Sequence, residues 1–170
     1  MSSKEQHCIL IVDDDTIMRE IVGDILSSEG YSVEKFSGTK GVEDFLKRNK
    51  VSLVFLDVSM PSEDGYTFLK RLKSQDSHKD LPVIFMTGKG EIDDKVYGFE
   101  LGAVDYIVKP FHRMDVLMRA KAHIKIVETH NENKEKLKQV EKAHQSLMVL
   151  PKSLPDAKFG IYFKSMLEAG

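Results

Sequence analysis

A five-stranded parallel α/β fold is predicted by three observations. Short apolar runs recur along residues 8–110. They are continuous rather than alternating, as strands buried on both faces are. Segments with apolar residues at helical spacing separate them, and alternation of this kind reads as βαβ units.

The elements follow in order. Ile9-Leu10-Ile11-Val12 runs into Asp13-Asp14-Asp15. Asp15 then caps a helix in which Ile17, Ile21, Val22, Ile25 and Leu26 recur at helical spacing, and Gly30 closes it. Tyr31 to Phe36 is a second strand, and Val42, Phe45 and Leu46 mark a second helix. Val51 to Leu56 runs into Asp57; Gly65 then precedes a helix with Phe68, Leu69 and Leu72. Leu81 to Met86 runs into Thr87, followed by a helix carrying Ile92, Val96, Phe99 and Leu101 and capped by Gly102. Ala103 to Val108 runs into Lys109-Pro110, and a last helix starts near Phe111. Right-handed crossovers leave few topologies. The order 2-1-3-4-5 is expected, because its switch point between the first and third strands sets Asp13 and Asp14 beside Asp57.

Ligands of open α/β sheets sit at the carboxyl ends of the strands. The runs therefore bring an acidic pair, a lone carboxylate, a hydroxyl and an ammonium to one edge, a place to hold a cation and an anion together. Magnesium prefers one or two carboxylates plus phosphate oxygens, a role suited to Asp13 and Asp14, directly or through water. Asp57 offers a further oxygen and a nucleophile, since carboxylates form aspartyl-phosphates. Lys109 supplies a point charge for phosphoryl oxygens and Thr87 a hydroxyl donor. The Lys109-Pro110 bond is a candidate for the cis form. Taken singly, each residue has a plainer role as turn former, cap or strand end; the joint arrangement carries the reading.

Composition adds bounds. Across 170 residues the net charge is −2 and the pI about 6.3, with no general pull toward nucleic acid or membrane. The single cysteine, Cys8, cannot form an internal disulfide, and a buried inert thiol in a reducing compartment is expected. Neither a signal peptide nor a stretch of the roughly 20 apolar residues that span a bilayer is visible, so a cytoplasmic protein without membrane contact is expected.

The segments ILIVDDD, LVFLDVSMPSEDGYTFL, VIFMTGKG and DYIVKPF resemble those of two-component response regulator receiver domains, the CheY-like family, over residues 7–127. The resemblance implies a flavodoxin/CheY-like (βα)5 fold. It implies Mg2+, with Mn2+ able to substitute, held by Asp13, Asp14, Asp57 and the backbone carbonyl of Ser59. It implies phosphorylation of Asp57 by a histidine kinase or phosphotransfer protein. Thr87 and Lys109 become the phosphate-responsive pair, and Tyr106 the aromatic switch that turns inward as the Thr position moves toward phosphate. Gly88 leaves access to the site, and Ser59 and Lys89 flank it where the family varies. An aspartyl-nucleophile phosphohydrolase is the competing enzyme class; it usually carries a second Asp two residues on, where this chain has Ser59.

Beyond about Val127 the composition turns to Glu, Lys, Asn and Gln. With Val116, His123, His130, Leu137 and His144 as heptad a, the d positions are Arg119, Ile126, Asn133, Val140 and Leu147, a weak seam. Residues 128–150 read either as a solvated helical linker or as a dimerising parallel coiled coil. The seam histidines could sense pH, although exposed histidines are ordinary. Neither a helix-turn-helix pattern nor a basic cluster appears in residues 128–170, so no direct nucleic-acid contact is expected. Residues 144–170 resemble the segment leading into SpoIIE/RsbU-like serine/threonine phosphatase domains, through Gln145, Leu147, Leu150-Pro151, Pro155 and Ile161-Tyr162-Phe163. Residues 151–170 would then begin an effector domain controlled by the receiver. The alternative is a stand-alone receiver that signals by protein binding.

Overall fold

The computed structural model describes residues 7–88 and 95–148. Strands β1 (Cys8–Val12), β2 (Ser32–Phe36), β3 (Leu53–Asp57), β4 (Val83–Thr87) and β5 (Asp105–Val108) alternate with helices α1 (Thr16–Ser27), α2 (Val42–Arg48), α3 (Gly65–Lys73), α4 (Lys95–Glu100) and α5 (Arg113–Met148). All strand pairs are parallel, in the expected order β2-β1-β3-β4-β5. Strands β3, β4 and β5 each start two residues later than the apolar runs suggest. Pro82 has no N–H to give the ladder, so β4 opens at Val83, while the Pro82 carbonyl still accepts from Val54 N at 3.0 Å.

The twofold period of the strands divides the core into two layers. Leu10, Val12, Val54, Leu56, Val83 and Phe85 pack against Val42 and Leu46 of α2 and Phe68, Leu69 and Leu72 of α3. Ile9, Ile11, Leu53, Phe55, Ile84 and Met86 point the other way, onto Val22, Ile25 and Leu26 of α1 and Val116, Leu117, Ala120 and Ile124 of α5. Central β3 and β4 are buried at every position, which is why they read as unbroken apolar runs.

Helix α1 departs from the expected stripe. Ile17 and Ile21 are exposed, and Val22, Gly23, Ile25 and Leu26 face the sheet. At 100° per residue, Ile17 lies nearly half a turn, and Ile21 about a third of a turn, from the centre of the buried face. Asp15 does cap α1, accepting from Ile17 N at 2.8 Å and Met18 N at 3.3 Å. The helix ends at Ser27 with Ser28 as its cap, two residues before Gly30, whose φ of +89° turns the chain. Cys8 is half-buried, and burial, with Glu34 nearby, pushes its thiol pKa up, away from the reactive thiolate.

The chain divides into two units, Met1–Thr129 and His130–Gly170. The first contains the sheet and both core layers. In the second, helix residues 130–145 are exposed except for half-exposed Asn131. Ile92, Lys89 and residues 149–170 lie outside the described residues. Among the described residues, no helix is long and apolar enough to cross a membrane.

Candidate functional site

The register builds the site. Val12 pairs with Leu56 and Asp57 with Met86, so Asp13 leaves its strand beside Asp57. Thr87 pairs with Val108, and Lys109 N donates to the Thr87 carbonyl at 2.7 Å. The four strand ends thus meet at one edge of the sheet, as the sequence predicts.

Asp13 is fully buried and both its oxygens are engaged. Oδ1 accepts from Asp15 N at 2.8 Å and Oδ2 from Lys109 Nζ at 2.7 Å. Lys109 Nζ also donates to Asp57 Oδ1 at 2.6 Å. Asp57 is only 4% exposed. Burial pushes its pKa up, with Asp13 and Asp14 adding to the rise and Lys109 opposing it. Burial works against the Lys109 charge too, but the bonds to Asp13 and Asp57 outweigh it and raise the ammonium pKa. Among the described residues one cation therefore faces three carboxylates, leaving excess negative charge.

Asp14 is exposed at the mouth, and carboxylate oxygens of Asp13, Asp14 and Asp57 lie within 4.8 Å of one another. An all-oxygen set with surplus negative charge fits a hard divalent cation such as magnesium. Thr87 is fully buried, its hydroxyl donating to the Gly88 carbonyl at 3.2 Å. Ser59 is exposed in the loop after Asp57. The Lys109-Pro110 bond is cis. Tyr106 sits in β5 with its ring packed inward, 5.4 Å from Phe85 and 5.0 Å from Phe99 between centroids.

Two contributors escaped the sequence reading. Arg19 reaches back from α1 to the Asp13 carbonyl at 2.5 Å and to Thr16 Oγ1 at 2.9 Å, tying the helix start to the acidic loop. Its position one turn after the Asp15 cap was the available signal. Gly65, expected just before a helix, is required by close approach. A Cβ there would overlap the Asp57 carbonyl oxygen and stand 3.0 Å from Val58 Cα, while its own N–H donates to Val58 O at 2.8 Å. The glycine brings α3, capped by Asp64 through Thr67 N at 2.8 Å, hard against the Asp57 strand end.

Comparisons with known proteins agree with this geometry. The sequence profile described as response regulator receiver domain matches residues 9–121. The phosphate regulon transcriptional regulatory protein PhoB of Pseudomonas aeruginosa is 38% identical over 114 residues, 67% of this chain and 50% of the relative. The DNA-binding dual master transcriptional regulator RpaA of Synechocystis is 37% identical over 115 residues, 67% of this chain and 47% of the relative. The chain thus spans about half the length of these curated relatives. Among solved structures, the receiver domain of NtrX from Brucella abortus is 32% identical with a TM-score of 0.65, covering 69% of this chain and 98% of that one. The chemotaxis response regulator CheY4 of Vibrio cholerae is 26% identical with a TM-score of 0.65 over the same shares. On this evidence the chain belongs to the response regulator receiver domain family.

Proposed function

We propose that this receiver accepts a phosphoryl group on Asp57 from a histidine kinase or phosphotransfer protein and passes the change to an effector. The observation that carries the reading is the buried Asp57 carboxylate flanked by Asp13, Asp14 and Lys109. An Asp57 oxygen attacks the phosphorus of a phosphohistidine; the P–N bond breaks, its electron pair returns to the imidazole, and an acyl phosphate forms. Lys109, now hydrogen-bonded to Asp57 Oδ1, moves its ammonium to a phosphoryl oxygen, and the Thr87 hydroxyl turns from Gly88 O to another. Asp13, Asp14, Asp57 and the Ser59 carbonyl would hold Mg2+ or Mn2+, which supplies charge neutralisation for the crowded oxygens. Tyr106 reports the Thr87 movement outward, and exposed Ile17 and Ile21 give the phosphodonor an apolar surface on α1.

Incubation with Mg2+ and acetyl phosphate tests this reading. A single covalent adduct on Asp57, lost in Asp57→Asn, is expected; rapid multiple turnover of small phosphate esters would favour the hydrolase class instead. PhoB and RpaA are transcriptional regulators matched over about half their length. The phosphatase effector rests on the tail resemblance alone.

The helix of the second unit supports a homodimer reading for the linker. Leu137 and Val140 are 65% and 66% exposed on one seam with Asn133. In a parallel pair Lys136 at g would face Glu141 at e of the second copy, an attractive pairing. The full chain is expected to show a concentration-dependent mass that Leu137→Glu reduces to that of a monomer. A monomer at all concentrations would leave the solvated-linker reading.

A further inference from the structure

We infer that Gly98 is a positioning residue for the phosphorylation response: the space left by its missing side chain is the socket in which the Tyr106 hydroxyl seats when the ring is turned inward. The inference rests on the receiver reading above.

Gly98 is buried in the middle of α4, a helix otherwise carrying exposed Val96, Tyr97 and Phe99. A Cβ built on it would overlap the Tyr106 hydroxyl oxygen outright. It would also stand 2.8 Å from Tyr106 Cζ and 3.1 Å from Tyr66 Cε1. The ring cannot slide aside to make room. Phe85 packs against it at 5.4 Å with 33° between planes, and Phe99 meets it edge-on at 5.0 Å. Tyr66 closes the far side through its contact with Phe85 at 4.9 Å. Packed aromatic clusters have few alternative arrangements. Two relaxations remain: the ring turns out, or α4 lifts from β5. Either one abandons the arrangement in which Tyr106 is only 5% exposed.

The consequence reaches the phosphorylation site by linkage. If the inward ring and the phosphorylated pocket favour one another, a change that disfavours the ring must weaken the pocket by the same factor. The sign of the effect is diagnostic. Alanine normally strengthens a helix interior relative to glycine. At Gly98 it should instead cost the response.

The test uses the full chain as native protein, Gly98→Ala, Tyr106→Ala and the double variant, with beryllofluoride and Mg2+ as the phosphoryl probe. Gly98→Ala is expected to weaken beryllofluoride binding by roughly ten-fold or more. In the Tyr106→Ala background the same substitution should change binding by less than about two-fold, because the atom it strikes is gone. With fluorotyrosine labelling, the Tyr106 19F resonance should move to a solvent-exposed position in Gly98→Ala. Native-like binding with the ring still inward would overturn the inference. So would an equal loss in the Tyr106→Ala background, which would make Gly98 a matter of α4 alone. If Gly98→Ala does not fold, recovery of folding in the double variant supports the socket and failure to recover refutes it. Should the native chain bind no beryllofluoride, the receiver reading falls, and the ring position in Gly98→Ala still decides the contact.

Discussion

The acidic edge and the α4–β5 face of the first unit are organised by different physics. At the acidic edge, Asp13, Asp57 and Lys109 are locked by hydrogen bonds of 2.6 and 2.7 Å, in surroundings where a misplaced charge is expensive. At the α4–β5 face, Tyr106 is held by ring contacts and by the lack of a side chain at Gly98, while Val96, Tyr97 and Phe99 stand exposed around it. At its rim Asp105 pairs with Arg119 and lies 3.3 Å from His123 Nε2. An electrostatic site responds strongly to an added phosphoryl group because its balance is a small difference of large terms. A steric site responds by rearranging, because its alternatives differ by little. The contrast suits one region to receiving a signal and the other to displaying it.

Three substitutions sharpen this comparison, taken from the largest expected effect downward. Lys109→Ala leaves Asp13 and Asp57 buried without their cation. In metal-free buffer at neutral pH it should lower unfolding stability by about 3 kcal/mol. Urea titration should show this, and millimolar Mg2+ should recover more stability in the variant than in native protein. Equal responses to Mg2+ would mean that the carboxylates and not the ammonium set the balance.

Asp57→Asn should act in the opposite direction. Burial raises the Asp57 pKa above its ordinary 3.8, so the folded state holds the proton more tightly than the unfolded state does. The ionised carboxylate therefore costs stability above the raised pKa, and that cost fades as pH falls through it toward 3.8. Removing the charge should stabilise metal-free protein at pH 7. The advantage should shrink steadily in unfolding curves taken at lower pH. A constant difference across pH would show that packing, not charge, separates the two proteins.

Arg119→Ala at the rim should be the mildest. Burial works against the Asp105 charge, but hydrogen bonds from Tyr106 N, Arg119 and His123 hold its pKa below the usual value. The associated stability is present above pH 3.8 and lost as pH falls through the lowered value. Arg119 is partly exposed and Tyr106 N still donates at 2.7 Å, so the loss should stay under about 1 kcal/mol by thermal unfolding. A loss rivalling that of Lys109→Ala would erase the distinction between the two regions.

The parts of this molecule legible in advance were those written as strong local patterns. Unbroken apolar runs mark β3 and β4 because both faces of the central strands are covered, and Asp15 caps α1 because its side chain bonds backbone N–H groups nearby in sequence. Ile17 and Ile21 misled because helical spacing reports a stripe without saying which part of it meets the sheet. Arg19 escaped notice because a surface-helix arginine looks the same whether or not it folds back on a carbonyl.

By itself, then, the sequence determined which residues end the strands and so which chemistry meets at the carboxyl edge: Asp13, Asp14, Asp57, Thr87 and Lys109. Strand ends follow from hydrophobic runs, and parallel strands place their ends together. Only the tertiary structure decided that Lys109 is shared between two buried carboxylates, that Gly65 must be bare for α3 to reach Asp57, and that Gly98 stands where the Tyr106 hydroxyl lies. Those are close approaches between segments far apart in the chain, and packing distance is a property that no local pattern carries.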